Sequence, residues 1–107
     1  MRFEITIAPS ASKELLALPA QLRATVRDGI ELHLRFEPQK LSKSRIKRLR
    51  WLDRPQYRLR IGDTRVFYDV TETAVEVLAI VPKAQAEAWL KEKSTPGAQG
   101  SPGKGKG

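Results

Sequence analysis

The stretch that most constrains the fold is Tyr57 to Val70, where two alternating runs flank the dipeptide Gly62-Asp63. A glycine leading a two-residue link suits a type II′ turn, whose twist matches that of paired strands, so Tyr57 to Ile61 and Thr64 to Val70 should form an antiparallel hairpin. With Gly62 and Asp63 as the loop, Ile61 faces Thr64, Arg60 faces Arg65, Leu59 faces Val66, Arg58 faces Phe67 and Tyr57 faces Tyr68. Side chains alternate across a strand, so Tyr57, Leu59, Ile61, Val66, Tyr68 and Val70 share one face, which must be the core. Arg58, Arg60, Arg65, Phe67 and Asp69 share the other. Like charges directly opposite cost about 0.2–1 kcal/mol, so folding gives no reason to set Arg60 across from Arg65. A ligand with several negative oxygens does. Asp69 can neutralise one of the three arginines as a surface ion pair, but not all of them.

The rest of the chain divides at its prolines. Phe3, Ile5 and Ile7 alternate with polar or small residues, which predicts a strand ended by Pro9. Ser10 is a suitable cap for a helix over Ala11 to Leu18. Pro19 separates it from a second helix that reaches about Phe36, with Leu22, Val26, Ile30, His33 and Leu34 at helical spacing. His33 falls on that apolar face and is expected to be a packed side chain. Residues 39–55 form a basic connector without clean periodicity, which Ile46, Leu49 and Leu52 can anchor. Ala74 to Val81 is an almost continuous apolar run, as in a strand covered on both faces. Lys83 to Lys93 can form a last helix with Ala86, Trp89 and Leu90 on one side. The expected fold class is therefore α+β, in the order β-α-α-β-β-β-α. Its core is a mostly antiparallel four-stranded sheet with the helices, including the helical hairpin, layered on one face.

Residues 1–93 read as one domain. Residues 94–107 hold five of the seven glycines and no side chain larger than Gln or Lys. Such a segment buries too little apolar surface to offset the entropy of ordering it, so it is expected to be a disordered tail. No apolar run approaches the roughly 20 residues that span a bilayer, and the N-terminus has no signal-peptide layout, so a cytoplasmic location away from membranes is expected. The chain has no cysteine and one histidine. Disulfides, thiol nucleophiles and thiolate or histidine metal sites drop out, and neither a metal nor another cofactor is expected.

The formal net charge is +8, and all of it lies in residues 40–65, where ten basic side chains meet two acids. Elsewhere the charges cancel. Such concentration is the electrostatic footprint of a phosphate-binding surface or of an acidic partner's dock. Lys43, Arg45, Lys47, Arg48, Arg50 and Trp51 of the connector are the candidate RNA-binding residues. Trp51 is suited either to stacking on a base or to anchoring the connector.

The block Tyr57-Arg58-Leu59-Arg60-Ile61-Gly62-Asp63-Thr64-Arg65-Val66-Phe67-Tyr68, followed by the apolar strand Val75 to Val81, resembles the signature hairpin and last strand of the RelE/ParE superfamily. These are the toxins of type II toxin–antitoxin modules. The resemblance covers about residues 2–92 and includes Lys47-Arg48-Leu49. It implies a RelE-like fold and, in one branch, a metal-independent endoribonuclease that cuts mRNA on the ribosome. In the other branch the members inhibit DNA gyrase without nuclease activity, and an inactive binding module is a third possibility. On the nuclease reading, Arg58 and Arg60 match basic residues beside the scissile phosphate, and Arg65 matches an arginine that contacts it. Arginine is a poor base with a pKa above about 12, so these groups would clamp rather than move protons. The last helix departs from the family pattern, with Gln85 and Trp89 where an arginine and a tyrosine are expected. Lys83 is the nearby candidate to replace the missing charge, and Lys47 and Lys83 are the candidate proton carriers. The resemblance also implies a cognate antitoxin, docking an acidic segment on the arginine platform and the face under the last helix.

Overall fold

The computed structural model describes residues 1–97. Its elements run β1 (Glu4–Ile7), α1 (Pro9–Ala17), α2 (Ala20–Leu34), β2 (Ile46–Arg48), β3 (Leu52–Arg54), β4 (Tyr57–Ile61), β5 (Thr64–Val70), β6 (Ala74–Pro82), α3 (Lys83–Lys93) and β7 (Thr95–Pro96). The hairpin β4–β5 has the expected register, from Tyr57 opposite Tyr68 to Ile61 opposite Thr64. Gly62 sits at φ +57° while Asp63 stays out of the left-handed region, the sign pattern of a type II′ turn.

The fold is α+β around a mostly antiparallel sheet, in the strand order β1-β6-β5-β4-β2, with β1 parallel to β6. Four strands were expected and the sheet has five. The addition is β2, cut from the basic connector. Ile46 buries beside Leu59, and Lys47 and Arg48 complete a ladder with Arg58 and Tyr57 that a solitary three-residue strand gives no periodicity to announce.

The helices do not all lie on one face. The hairpin α1–α2 covers the face carrying Leu59, Val66, Tyr68 and Ile80, contributing Ala11, Leu15, Val26, Ile30 and Leu34. On the opposite face α3 lays Ala86, Trp89 and Leu90 over Phe67, Ala79 and Val81. The reason lies in β6. Its register shifts where Phe67 pairs with Ala79 but Tyr68 pairs with Val77, leaving Leu78 as the extra residue. This bulge switches the alternation, so Val75, Val77 and Ile80 face α1–α2 while Ala79 and Val81 need cover on the other side. Glu14 of α1 accepts the Ile80 N–H at 2.8 Å, beyond the point where β1 stops pairing.

Helix α1 starts earlier than expected. Ala8 is the cap and Pro9 the first residue, and no side chain, Ser10 included, caps the end. Proline's fixed φ suits that first position, and the Ala8 N–H is already used by Val77 O at 2.8 Å. The ordered body also runs past Lys93. Thr95 and Pro96 pair with β3, and the Gly97 N–H donates to Trp51 O at 2.8 Å. Residues 95–97 of the expected tail are thus held against β3, because an open strand edge can hold a segment through its backbone whatever its side chains. The remainder of that tail lies outside the described residues. Among the described residues no helix is long and apolar enough to cross a membrane.

Candidate functional site

Helix α3 covers only the β5–β6 half of its face, and the half formed by β4 and β2 is open. Lys47 lies directly across from Arg58, and Arg58 across from Phe67. One step nearer the turn, Arg60 lies across from Arg65, and the Arg60 N–H donates to Arg45 O at 2.8 Å. Arg45, Lys47, Arg58 and Arg60 therefore form two adjacent rows on strands that the ladder holds rigid. A cleft of about 270 Å³ opens between Ser44, Arg45, Arg60 and Gly62.

The three hairpin arginines have different environments. Arg60 is exposed. Arg58 is half-buried, its Nε is buried without a hydrogen-bond partner, and burial together with Arg65 and Arg60 pulls its pKa below the ordinary value. Arg65 is only 7% exposed, and its Nη1 donates to Gly62 O at 2.9 Å and Thr64 O at 3.3 Å. It braces the turn from beneath while adding positive charge behind Arg60. Lys83 opens α3 at the same end of the sheet, its N–H donating to Asp63 O at 2.7 Å, and its exposed side chain lines a shallow cleft with Asp63, Pro82 and Ala84.

Asp69, the acid expected to neutralise one of these arginines, is committed elsewhere. Its Oδ1 accepts the Gln56 N–H at 2.8 Å and its Oδ2 pairs with Arg54 Nε at 3.4 Å, while burial pushes its carboxyl up. Arg54 also reaches Glu76 at 3.2 Å, which separates two carboxylates that the register sets side by side. Of the ten cations from Lys40 to Arg65, only Lys40 and Arg54 have an ion pair among the described residues. Arg58, Arg60 and Arg65 have none.

The connector residues do not all join this face. Arg48 crosses to the helix side, lies 5.3 Å over the Tyr57 ring, and donates to Leu49 O and Gln56 O. Arg50 and Trp51 lie at the opposite end of the sheet from Gly62, with Trp51 half exposed. Lys43 is exposed on the loop before β2. His33 is half-buried in the wall of a cleft of about 380 Å³ that also touches Arg45, and burial and that arginine hold its pKa down. Trp89 stacks on Phe67 at 5.1 Å, which uses its flat face in the second core cluster. Sequence reasoning missed the backbone of Trp51, at φ +71°, and nothing in Arg50-Trp51-Leu52 signals a left-handed residue.

A family described as the ParE toxin of the type II toxin–antitoxin system parDE matches residues 5–87. No curated protein matches the chain. Among solved structures, the chain is similar to one in the archaeal RelE–RelB complex of Pyrococcus horikoshii, with a TM-score of 0.65, 25% identity, and coverage of 79% of this chain and 99% of that one. A chain of the toxin–antitoxin complex RelBE2 from Mycobacterium tuberculosis gives 0.64 and 22%, covering 77% and 99%. One from the RelB–RelE complex of Methanococcus jannaschii gives 0.59 and 17%, covering 78% and 96%. The latter two bear on the fold alone.

Proposed function

The chain belongs to the RelE/ParE family of type II toxins, and from that premise we propose that it is an mRNA endonuclease of the RelE kind, acting in the cytoplasm on ribosome-bound message. The observation that carries this reading is the set of Lys47, Arg58 and Arg60 on rigid strands, without an ion pair among the described residues and with Arg65 buried behind them. Such a surface favours a phosphate whose charge grows during reaction.

In the proposed reaction the RNA's 2′-oxygen attacks the adjacent phosphorus. The O2′–P bond forms, the P–O5′ bond breaks, and a 2′,3′-cyclic phosphate and a 5′-hydroxyl result. Arg58 and Arg60 bind the non-bridging oxygens, for which paired guanidinium donors are well shaped. Arg65 keeps the turn in place and adds charge from below. Lys47 and Lys83 flank the cluster, and the two proton transfers fall to them. Lys43, Arg45 and Arg50 hold the surrounding RNA, which makes binding steeply salt-dependent. The Pyrococcus horikoshii relative, solved in complex with RelB, supports a cognate antitoxin for this chain. An acidic segment laid over the unpaired cations would occupy the same face as RNA.

Primer extension on messages from cells expressing the chain without its antitoxin tests the reading. Discrete new 5′ ends within translated frames are expected, and they should vanish for Arg58→Ala. A second reading, gyrase inhibition without nuclease chemistry, is favoured by one observation: α3 presents Gln85 and a Trp89 already stacked on Phe67, so it supplies neither a phenol nor a guanidinium. Intact messages together with double-strand DNA breaks would decide for it.

A further inference from the structure

Trp51 is a poor choice for its own backbone. At φ +71° a bulky side chain is an outlier, and glycine would fit there without strain. The side chain does not repay that strain by burial, since half of it is exposed. Strain held at an exposed aromatic marks a position selected for something other than folding. The surrounding structure holds it in place, because β3 pairs with β7 directly after it and the Gly97 N–H binds its carbonyl oxygen.

Trp51 lines a cleft of about 290 Å³ with Arg48, Arg50, Leu52 and Gly97. That volume falls just below the range for enclosed small-ligand pockets, roughly 300–1,000 Å³, and suits a flat group laid on the surface. Arg50 has no ion pair among the described residues, and Arg48 is anchored through carbonyls rather than carboxylates. The one acid close by in sequence, Asp53, is exposed and offsets part of this charge. The strand rise puts this cleft roughly 15–20 Å from the Gly62 turn, with the Lys47–Arg58 row between.

We propose that Trp51 is a stacking platform for one unpaired RNA base, with Arg50 beside it on the backbone, a few nucleotides from the phosphate held by Arg58 and Arg60. The choice of RNA rests on the nuclease reading above, while the stacking site stands on its own geometry. A half-exposed indole in a cleft that it shares with Arg48 and Arg50 can read the face of a base, which every nucleotide offers and an acidic peptide does not.

The test uses the full chain. In a Trp89→Phe background Trp51 is the only indole, and a short single-stranded oligoadenylate should quench its fluorescence on binding. With labelled RNA and anisotropy, Trp51→Gly should bind roughly tenfold more weakly, as expected for loss of one base–aromatic stack. Its melting temperature should hold or rise, since glycine relieves the strained φ, and Trp51→Phe should keep most of the affinity. Wild-type affinity in Trp51→Gly, or no quenching in the Trp89→Phe protein, overturns the proposal. Equal quenching by an acidic peptide overturns it in favour of a protein partner. If messages stay uncut in cells but quenching and the Trp51→Gly loss are both seen, the base platform is supported and only the cleavage reading falls.

Discussion

The two faces of the β4–β5 hairpin are made from alternate residues of the same strands, and they are held together in opposite ways. On the helix side Tyr57 stacks on Tyr68 at 5.5 Å, the buried Tyr68 hydroxyl donates to Pro38 O at 2.6 Å, and Leu59 and Val66 are fully enclosed. Both tyrosine hydroxyls there have partners within the fold, that of Tyr57 accepting from Gln39 Nε2 at 3.3 Å. On the other side Arg58, Arg60 and Lys47 repel one another, and the two carboxylates that the register sets side by side, Asp69 and Glu76, are taken by Arg54. The first face supplies stability and the second spends some of it to hold an anion. The difference teaches where function sits, in residues whose removal should hardly harm the fold.

Mutations that separate the faces test this contrast. The largest effect is expected on the closed side, where Leu59→Ala should lower unfolding stability by about 2–5 kcal/mol in urea titrations through the cavity it leaves. A loss below about 1 kcal/mol would mean that the face is less closed than its burial implies.

Next in size, Arg58→Ala should reduce message cleavage by roughly 10²–10³-fold, the usual loss for one donor to a developing oxyanion. Stability should change by less than about 1 kcal/mol, because Arg58 Nε already lacks a partner. Arg58 is a cleaner test than Arg65, whose removal also strips donors from Gly62 O and Thr64 O and loosens the turn. Full cleavage by folded Arg58→Ala would end the claim that the open face performs chemistry.

A smaller effect of opposite sign is expected for Arg60→Thr. Relieving the cross-strand repulsion with Arg65 should raise stability by about 0.2–1 kcal/mol at low salt, with the gain shrinking as salt is added. A loss of stability there would show that the cluster supports the fold.

The smallest prediction concerns pH. Burial, helped by Arg45, lowers the His33 pKa in the folded state, so the unfolded chain binds the proton more readily. Stability should therefore fall as pH drops through about 6.5, the unperturbed value, and hold above it. His33→Gln should flatten the difference between melting curves at pH 7.5 and 5.5. An unchanged slope would rule out His33 as the group that links stability to pH in this range.

Much of this was legible in the sequence where the signal is local. Alternation around Gly62-Asp63 was enough to pair Arg60 with Arg65 and to separate the arginines from the tyrosines. The span Lys83 to Lys93 was legible for the same reason, since Pro82 marks its start and Ala86, Trp89 and Leu90 give the packed side. The connector was not, because three residues of β2 carry no period, and their strand exists only where β4 offers a free edge.

By itself, then, the sequence determined the hairpin register, the division of its faces, and a charge excess confined to residues 40–65. These follow from a period of two and a turn of two residues, both properties of neighbours along the chain. Tertiary structure decided how the charge is used. It sent Arg48 across to Tyr57, gave Asp69 to Arg54, buried Arg65 under the turn, and left Arg58 and Arg60 open. It also inserted Leu78 as a bulge, which brought α3 onto the second face, and it locked Trp51 at a positive φ beside β7. Each of these depends on which strand edge is free and where a helix lands, and such contacts between distant residues leave no trace in local periodicity.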